Sequence, residues 1–242
     1  MSAIPEKYDP SKYPPFAVTA DLVIFTVFNQ ELQVLLVKRA DNPWKDCWAL
    51  PGGFVHINED IQTAATRKLK EETGVDTLLP GCYLEQLGTY GKVNRDPRMR
   101  VVSVAYWSFV QSEVFTVAGR DTIETAFWPI TKAFDLHMAF DHQDILKDGI
   151  ERARNKLEYT TLATKLCPES FSLTQLQHVY ESVWGQKIHG NNFRRKILKT
   201  KNFVLPTGHL GPKGRQGPLP TMYKAGSSSL LHPPLLRSEN KL

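Results

Sequence analysis

The chain has 242 residues, more than the roughly 140 that one small α/β domain needs, so a second module is expected. Charge divides the same way: residues 1–150 hold 15 Lys and Arg against 20 Asp and Glu, a net of −5, and residues 151–242 hold 15 against 5, a net of +10, which reads as a polyanion partner for the second half alone or as a solvated basic face. The scattered Cys47, Cys82 and Cys167, an N-terminus without a signal-type apolar core, and the lack of any apolar run near the roughly 18 residues of a membrane span exclude a zinc or disulfide scaffold and a membrane protein, and point to a soluble protein of the cytoplasm.

In chain order, residues 1–13 read as an N-terminal extension. Ala17–Phe28 and Glu31–Lys38, apolar and separated by Asn29 and Gln30, predict a β-hairpin. Trp44–Pro51 then leads to Gly52–Val75, GGFVHINEDIQTAATRKLKEETGV. There Ile61, Ala64, Ala65 and Leu69 recur at helical spacing and Gly74 is a typical C-terminal stop, so the segment after Asn58 predicts a helix. Steps of four, three and four residues back from Glu72 reach Lys68, Ala65 and Ile61, which places Glu72 on the stripe that faces the protein. A carboxylate there is costly without a partner, and bound Mg²⁺ is one such partner. Lys68, Glu71 and Glu72 share one strip of surface.

The spacing of Gly53, Glu59, Arg67, Leu69, Glu71, Glu72, Gly74 and Val75 resembles the Nudix box of nucleoside-diphosphate pyrophosphohydrolases. It departs from that pattern at one place, where Lys68 stands for a glutamate. The resemblance implies a box helix that holds Mg²⁺ against a pyrophosphate and polarises it for attack by water, with Glu71 and Glu72 the metal ligands that remain. At an effective dielectric near 20, two unit charges about 4 Å apart interact by ~4 kcal/mol, and a divalent ion roughly doubles that. The lysine stem lessens the effect where it swings the charge toward water. Two readings follow. Either Lys68 marks a degenerate catalytic site (Glu59, Arg67, Lys68, Glu71, Glu72) kept for binding and needing no cofactor, or another carboxylate such as Glu59 serves and the chain is a Mg²⁺-dependent hydrolase.

Tyr83–Tyr90 and Val101–Val110 predict further strands, and Thr125–Trp128 a short one. Between the first two lie Arg95, Arg98 and Arg100 around a turn. Their guanidinium groups suit a pyrophosphate or carboxylate, or else decorate a solvated turn. Ala139–His142 reads as a helix start capped by Asp141, and the helix runs through Ile145, Ile150 and Ala153 to about Leu157, closing a first domain over residues 14–157. Strands with interspersed helices predict a mixed α/β sandwich.

In the second module, residues 158–225, Ser172 and Gln175 match a capping box. Leu173, Leu176, Tyr180 and Val183 share one helical face and Gly185 ends it. A second helix over Asn191–Lys199 places Phe193, Ile197 and Leu198 inward and Asn192, Arg195, Lys196 and Lys199 outward. That is the arrangement of a helix-turn-helix recognition helix, with Arg and Asn for base edges and Lys for phosphates. Phe203–Thr207 and Thr221–Lys224, around a turn with Lys213 and Arg215, predict a wing. The tail 226–242, rich in Ser and Pro, is expected to be poorly ordered.

Over residues 14–224 the whole resembles the Nudix-related transcriptional regulators of the NrtR type. Besides the box, the resemblance rests on Trp48–Val55, Glu85–Leu87, Arg95–Arg98, Arg100–Tyr106, Ala139–His142 and Asn192–Lys196. Gly214–Pro218 departs from the family's tighter Gly-Arg-Pro turn. The resemblance implies a Nudix α/β/α sandwich with a mixed sheet, followed by a small winged helix-turn-helix domain. It further implies a homodimer that binds a double-stranded DNA operator, represses genes of NAD or related metabolism and senses ADP-ribose or a similar nucleotide. The ligand contacts it implies are Arg39, Gly52, Gly53, Lys68, Arg95, Arg98 and Arg100. The DNA contacts are Asn192, Arg194, Arg195, Lys196, Lys199, Lys213 and Arg215.

Overall fold

Asn29 and Gln30 both adopt positive φ, 51° and 62°, the twist a two-residue hairpin loop needs to follow its strands. They join β1 (Ala17–Phe28) to β2 (Glu31–Arg39) where the sequence predicts a hairpin. The computed structural model describes residues 9–74, 83–111, 122–212 and 218–237. β1 is the spine of the first domain. It pairs antiparallel with β2 near the hairpin and with β4 (Gly52–Phe54) near its start, and parallel with β6 (Val101–Phe109). β3 (Trp48–Ala49) and β7 (Thr122–Pro129) pair with β2, and β5 (Tyr83–Tyr90) with β6, so the sheet is mixed. β7 outruns the predicted Thr125–Trp128 because β2 offers it partners from Gln33 to Arg39.

Strand alternation divides the core into two layers. Ala20, Leu22 and Ile24 of β1 face Ala64, Ala65 and Leu69 of α1 (Ile61–Thr73). Val23 and Phe25 face the opposite layer, with Ile145, Ile150 and Ala153 of α3 (His142–Tyr159). Gly149 permits that approach, since a Cβ there would lie 2.9 Å from Val23 Cγ1. α2 (Ile130–Ala133) is one turn between β7 and α3. α1 starts at Asp60, whose carboxylate accepts the Thr63 amide at 2.7 Å, and stops at Gly74 with φ 69°.

The second domain comprises β8 (Phe171–Ser172), α4 (Leu173–Trp184), α5 (Gly190–Lys199), β9 (Val204–Leu210) and β10 (Thr221–Ala225), with β10 central in a small sheet. Ser172 and Gln175 form the expected capping box and Gly185 ends α4 at φ 68°. Glu181 fixes the turn into α5 by accepting the Ile188 amide and the Lys187 ammonium, each at 3.0 Å. Tyr180 packs edge-on against Trp184 and Phe193, which joins α4 to α5.

The two domains share one core through α3. Arg154 Nε donates to Val183 O at 3.1 Å and Trp184 Nε1 donates to Arg154 O at 3.0 Å. The described part of the tail, residues 226–237, differs from the expected poor order: Leu231 is buried, and the Leu231 and Leu235 amides donate to Tyr159 O and Glu158 O at the end of α3. Cys47 and Cys167 are free thiols, and Cys82 lies outside the described residues. No described helix is long and apolar enough to cross a membrane.

Candidate functional site

The start of β1, the β4 turn, α1 and the first turn of α3 enclose a cleft of about 910 Å³. Its rim is set by the box. Arg67 clasps Glu59 with Nε–Oε2 at 3.0 Å and Nη2–Oε1 at 2.5 Å, and Glu59 also accepts the His56 amide at 2.8 Å. These donors stabilise its charged form and lower its pKa to about 2. Glu59 therefore ties the loop 54–59 to α1. With both oxygens committed, it is not placed to stand in for the missing box glutamate.

Lys68 lies along the cleft wall. A Cβ on Gly53 would come within 2.7 Å of its Cε, so the glycine makes room for the lysine stem. Its Nζ is 2.8 Å from Glu71 Oε2, while Arg67 Nη1 is 3.2 Å from Glu71 Oε1. Glu71 is held between two cations. Glu72 is buried, as its place on the helical stripe predicts, and its Oε2 has no hydrogen-bond partner. Burial raises its pKa, and the Lys68 charge opposes that shift in part. Of the two box carboxylates that could hold a divalent cation, Glu71 is paired with the Lys68 ammonium, which opposes a cation there, while Glu72 Oε2 is unpartnered.

The arginines predicted as ligand contacts separate. Arg98 lines the cleft, 41 % exposed, paired with Asp96 at 2.7 Å and lying over the rings of Phe54 at 5.3 Å and Phe140 at 5.9 Å. Arg39 also lies over the ring of Phe140, at 5.0 Å. Arg95 borders the cleft but is buried and bound to Asp141 through Nε and Nη2, at 3.0 Å and 2.6 Å, with Asp21 3.6 Å from Nη2. Its Nε and Nη2 edge is thereby held by the two aspartates, in the lining of the cleft. Arg100 turns away: Nη1 donates to Lys92 O and the guanidinium lies over Phe16. Asp141 does precede α3, but its side chain makes no cap hydrogen bond because Arg95 holds it.

Asp21, Arg95, Asp141 and His142 form a buried network that the sequence reading did not assemble. The Leu50 amide donates to His142 Nδ1 at 2.9 Å, which leaves the ring proton on Nε2, facing Asp21 at 3.8 Å. Burial depresses the His142 pKa and keeps the ring neutral. Ser103 Oγ donates to Asp21, and a Cβ on Gly52 would collide with the Asp21 carboxylate. The signal was present in the sequence, since a lone aspartate in an apolar strand demands a partner. Phe140 adds local strain at the same place, with φ 55°, unusual for a bulky residue.

The other candidate surface is α5. Phe193 and Ile197 are buried, and Asn192, Arg194, Arg195 and Lys199 are exposed, with Arg195 Nη2 bonded to Asn192 Oδ1 at 3.1 Å. Lys196 is half-buried. Leu198 was expected inward but is 49 % exposed. At 3.6 residues per turn it falls about 140° from Phe193, and buried Thr200 completes the inner stripe instead. Lys213 and Arg215 lie outside the described residues.

Comparison with known proteins agrees with both halves of this geometry. Residues 18–149 match the NUDIX domain family and residues 163–224 the NrtR DNA-binding winged helix domain. The ADPR responsive transcriptional repressor NtrR of Acinetobacter baylyi is 37 % identical over 196 residues, 80 % of this chain and 77 % of that protein. This chain belongs to the NrtR family. Among solved NrtR structures, that of Shewanella oneidensis NrtR complexed with a 27mer DNA superposes with a TM-score of 0.74 at 30 % identity, covering 88 % of this chain and 97 % of the other. The NUDIX domain of the same NrtR complexed with ADP ribose superposes with a TM-score of 0.54 at 34 % identity, covering 60 % of this chain and 94 % of that one. The NrtR family match confirms the Nudix fold followed by a winged helix.

Proposed function

We propose that this chain is a transcriptional repressor that binds operator DNA through α5 and senses ADP-ribose or a closely related nucleotide in its Nudix cleft without cutting it. The observation that carries the reading is the Lys68 ammonium, 2.8 Å from Glu71, in a cleft otherwise built as a Nudix site. A pyrophosphate is a dianion. Lys68 and Arg98, with the backbone of Gly52 and Gly53, offer it positive charge and hydrogen-bond donors where a hydrolase offers a metal. Recognition then needs no cofactor. Phe54 and Phe140 supply apolar faces for the remainder of the ligand.

The DNA half of the proposal rests on a helix that exposes Asn192, Arg194, Arg195 and Lys199 together and on relatives whose names state repression and DNA complexes. A homodimer would set two copies of α5 in successive major grooves, roughly 34–36 Å apart or a multiple of that. α3 supports a route between the sites. It starts in the cleft at His142, spans about 27 Å, and bears the winged helix at Arg154. A ligand acts through such a route only by binding DNA-competent and DNA-incompetent states with different affinity.

The rival reading is a Mg²⁺-dependent hydrolase of ADP-ribose, and the buried, unpartnered Glu72 Oε2 is the observation in its favour. Incubation with ADP-ribose and Mg²⁺ separates the two. The sensor reading expects intact ADP-ribose and a thermal shift that persists in EDTA; robust release of AMP would establish the hydrolase.

A further inference from the structure

The winged-helix match ends at residue 224, yet the chain continues in an ordered path along α3. The Gly226 amide donates to Phe203 O at 2.8 Å and the Ser228 amide to Asn202 O at 3.0 Å, just beyond α5. The strand-like run 229–231 then pairs with Tyr159–Thr161, through Thr161 N to Ser229 O at 3.2 Å and Leu231 N to Tyr159 O at 2.8 Å. Leu235 N reaches Glu158 O at 2.7 Å. The segment therefore ties the end of α5 to the end of α3, which is the helix that begins in the nucleotide cleft.

Arg237 closes this strap. Nη2 donates to Asn155 Oδ1 at 2.6 Å and Glu151 Oε2 at 3.1 Å, and Nε lies 3.1 Å from Glu158 Oε1. Glu151 is shared. Its other oxygen takes Arg154 Nη1 at 2.7 Å, and Arg154 Nε is the group that holds Val183 O of α4. Residues 234–237 also line a cavity of about 450 Å³ together with Asn192, Arg195, Lys196 and Lys199 of α5. One side chain thus meets α3 and, through Glu151, the Arg154 link to α4, while the segment it closes borders the same cavity as the exposed basic residues of α5. Leu231 and Leu235 already supply apolar burial to this segment, so an arginine with three polar partners on α3 adds direction.

We propose that Arg237 is a positioning residue: by clamping residues 226–237 to α3 it holds the winged helix in the orientation through which cleft occupancy changes DNA affinity. This rests on the sensor reading above. The test uses the full chain and Arg237→Ala, which leaves Leu231 and Leu235 in place, with Arg237→Lys as the conservative variant. The DNA probe is a fluorescent duplex selected from genomic DNA by the unaltered chain. Its affinity is measured with and without saturating ADP-ribose, and ADP-ribose affinity is measured separately by calorimetry. Arg237→Ala is expected to bind ADP-ribose within about twofold of the unaltered chain while the ratio of the two DNA affinities falls at least about fivefold, and Arg237→Lys is expected to restore part of that ratio. An unchanged ratio in Arg237→Ala overturns the proposal, with or without a loss of thermal stability. If the unaltered chain itself shows no ratio, the sensor reading fails as well, so the two failures are told apart.

Discussion

Lys68→Glu restores the box residue that the sequence lacks, and its consequences follow from two neighbours. Lys68 Nζ stands 2.8 Å from Glu71. At an effective dielectric near 20 that separation corresponds to about 6 kcal/mol. Glu71 is 44 % exposed, however, and pairs so open to water contribute about 1 kcal/mol. The variant loses that attraction and gains a repulsion of similar size toward Glu71 and Glu72. In EDTA it should be about 1–2 kcal/mol less stable, a lowering of Tm by about 2–8 °C for a chain of this size. The deficit grows with pH. Burial raises the Glu72 pKa and Lys68 opposes the shift, so stability falls as pH rises through the folded pKa, and further without Lys68. Mg²⁺ reverses the sign. Three carboxylates on one strip supply the missing ligand, and Mg²⁺ at about ten times its Kd stabilises by about 1.4 kcal/mol, or about 3–6 °C. The assay is thermal unfolding of both proteins in EDTA and in Mg²⁺. A variant that responds to Mg²⁺ no more than the unaltered chain would refute the view that Lys68 occupies the metal's place.

Arg95→Ala strands Asp141 and Asp21 in the protein and should cost about 3–5 kcal/mol in a denaturant titration. Arg98→Ala should cost about 1–2 kcal/mol and act chiefly by weakening ADP-ribose binding in calorimetry. Glu59→Gln should lower Tm at neutral pH, because a carboxylate with its pKa lowered to about 2 stabilises above its unfolded value and loses that contribution as pH falls. The melting curves of the two proteins should converge near pH 2. Arg195→Ala should weaken binding to the selected duplex by about 1–3 kcal/mol in an anisotropy titration and leave ADP-ribose affinity unchanged.

Much of the fold was legible because its signals are local. The apolar run of β1, the period of 3.6 that buries Glu72, the caps at Gly74, Ser172 and Gly185, and the turn at Asn29–Gln30 are local signals, and each stands where the sequence places it. Leu198 shows the limit of a short helix, in which three apolar residues do not fix a stripe until Thr200 is known to be inside. In the cleft, sequence places three arginines around one turn but cannot say which is buried. That depends on Asp21, 74 positions before Arg95, and on Asp141, 46 positions after it. Asp141 looked like a cap for the same reason, since its true partner is distant in the chain. In the tail, Ser and Pro masked Leu231 and Leu235, whose burial depends on α3 and not on their neighbours.

The central claim is that nucleotide in the cleft alters DNA binding without being consumed. The direct measurement is an anisotropy titration of the selected duplex with the full chain, with and without saturating ADP-ribose, followed by chromatography of the nucleotide. The account predicts that the two DNA affinities differ by about fivefold or more and that ADP-ribose is recovered intact. Superimposable titrations, or recovery of AMP in its place, would contradict it.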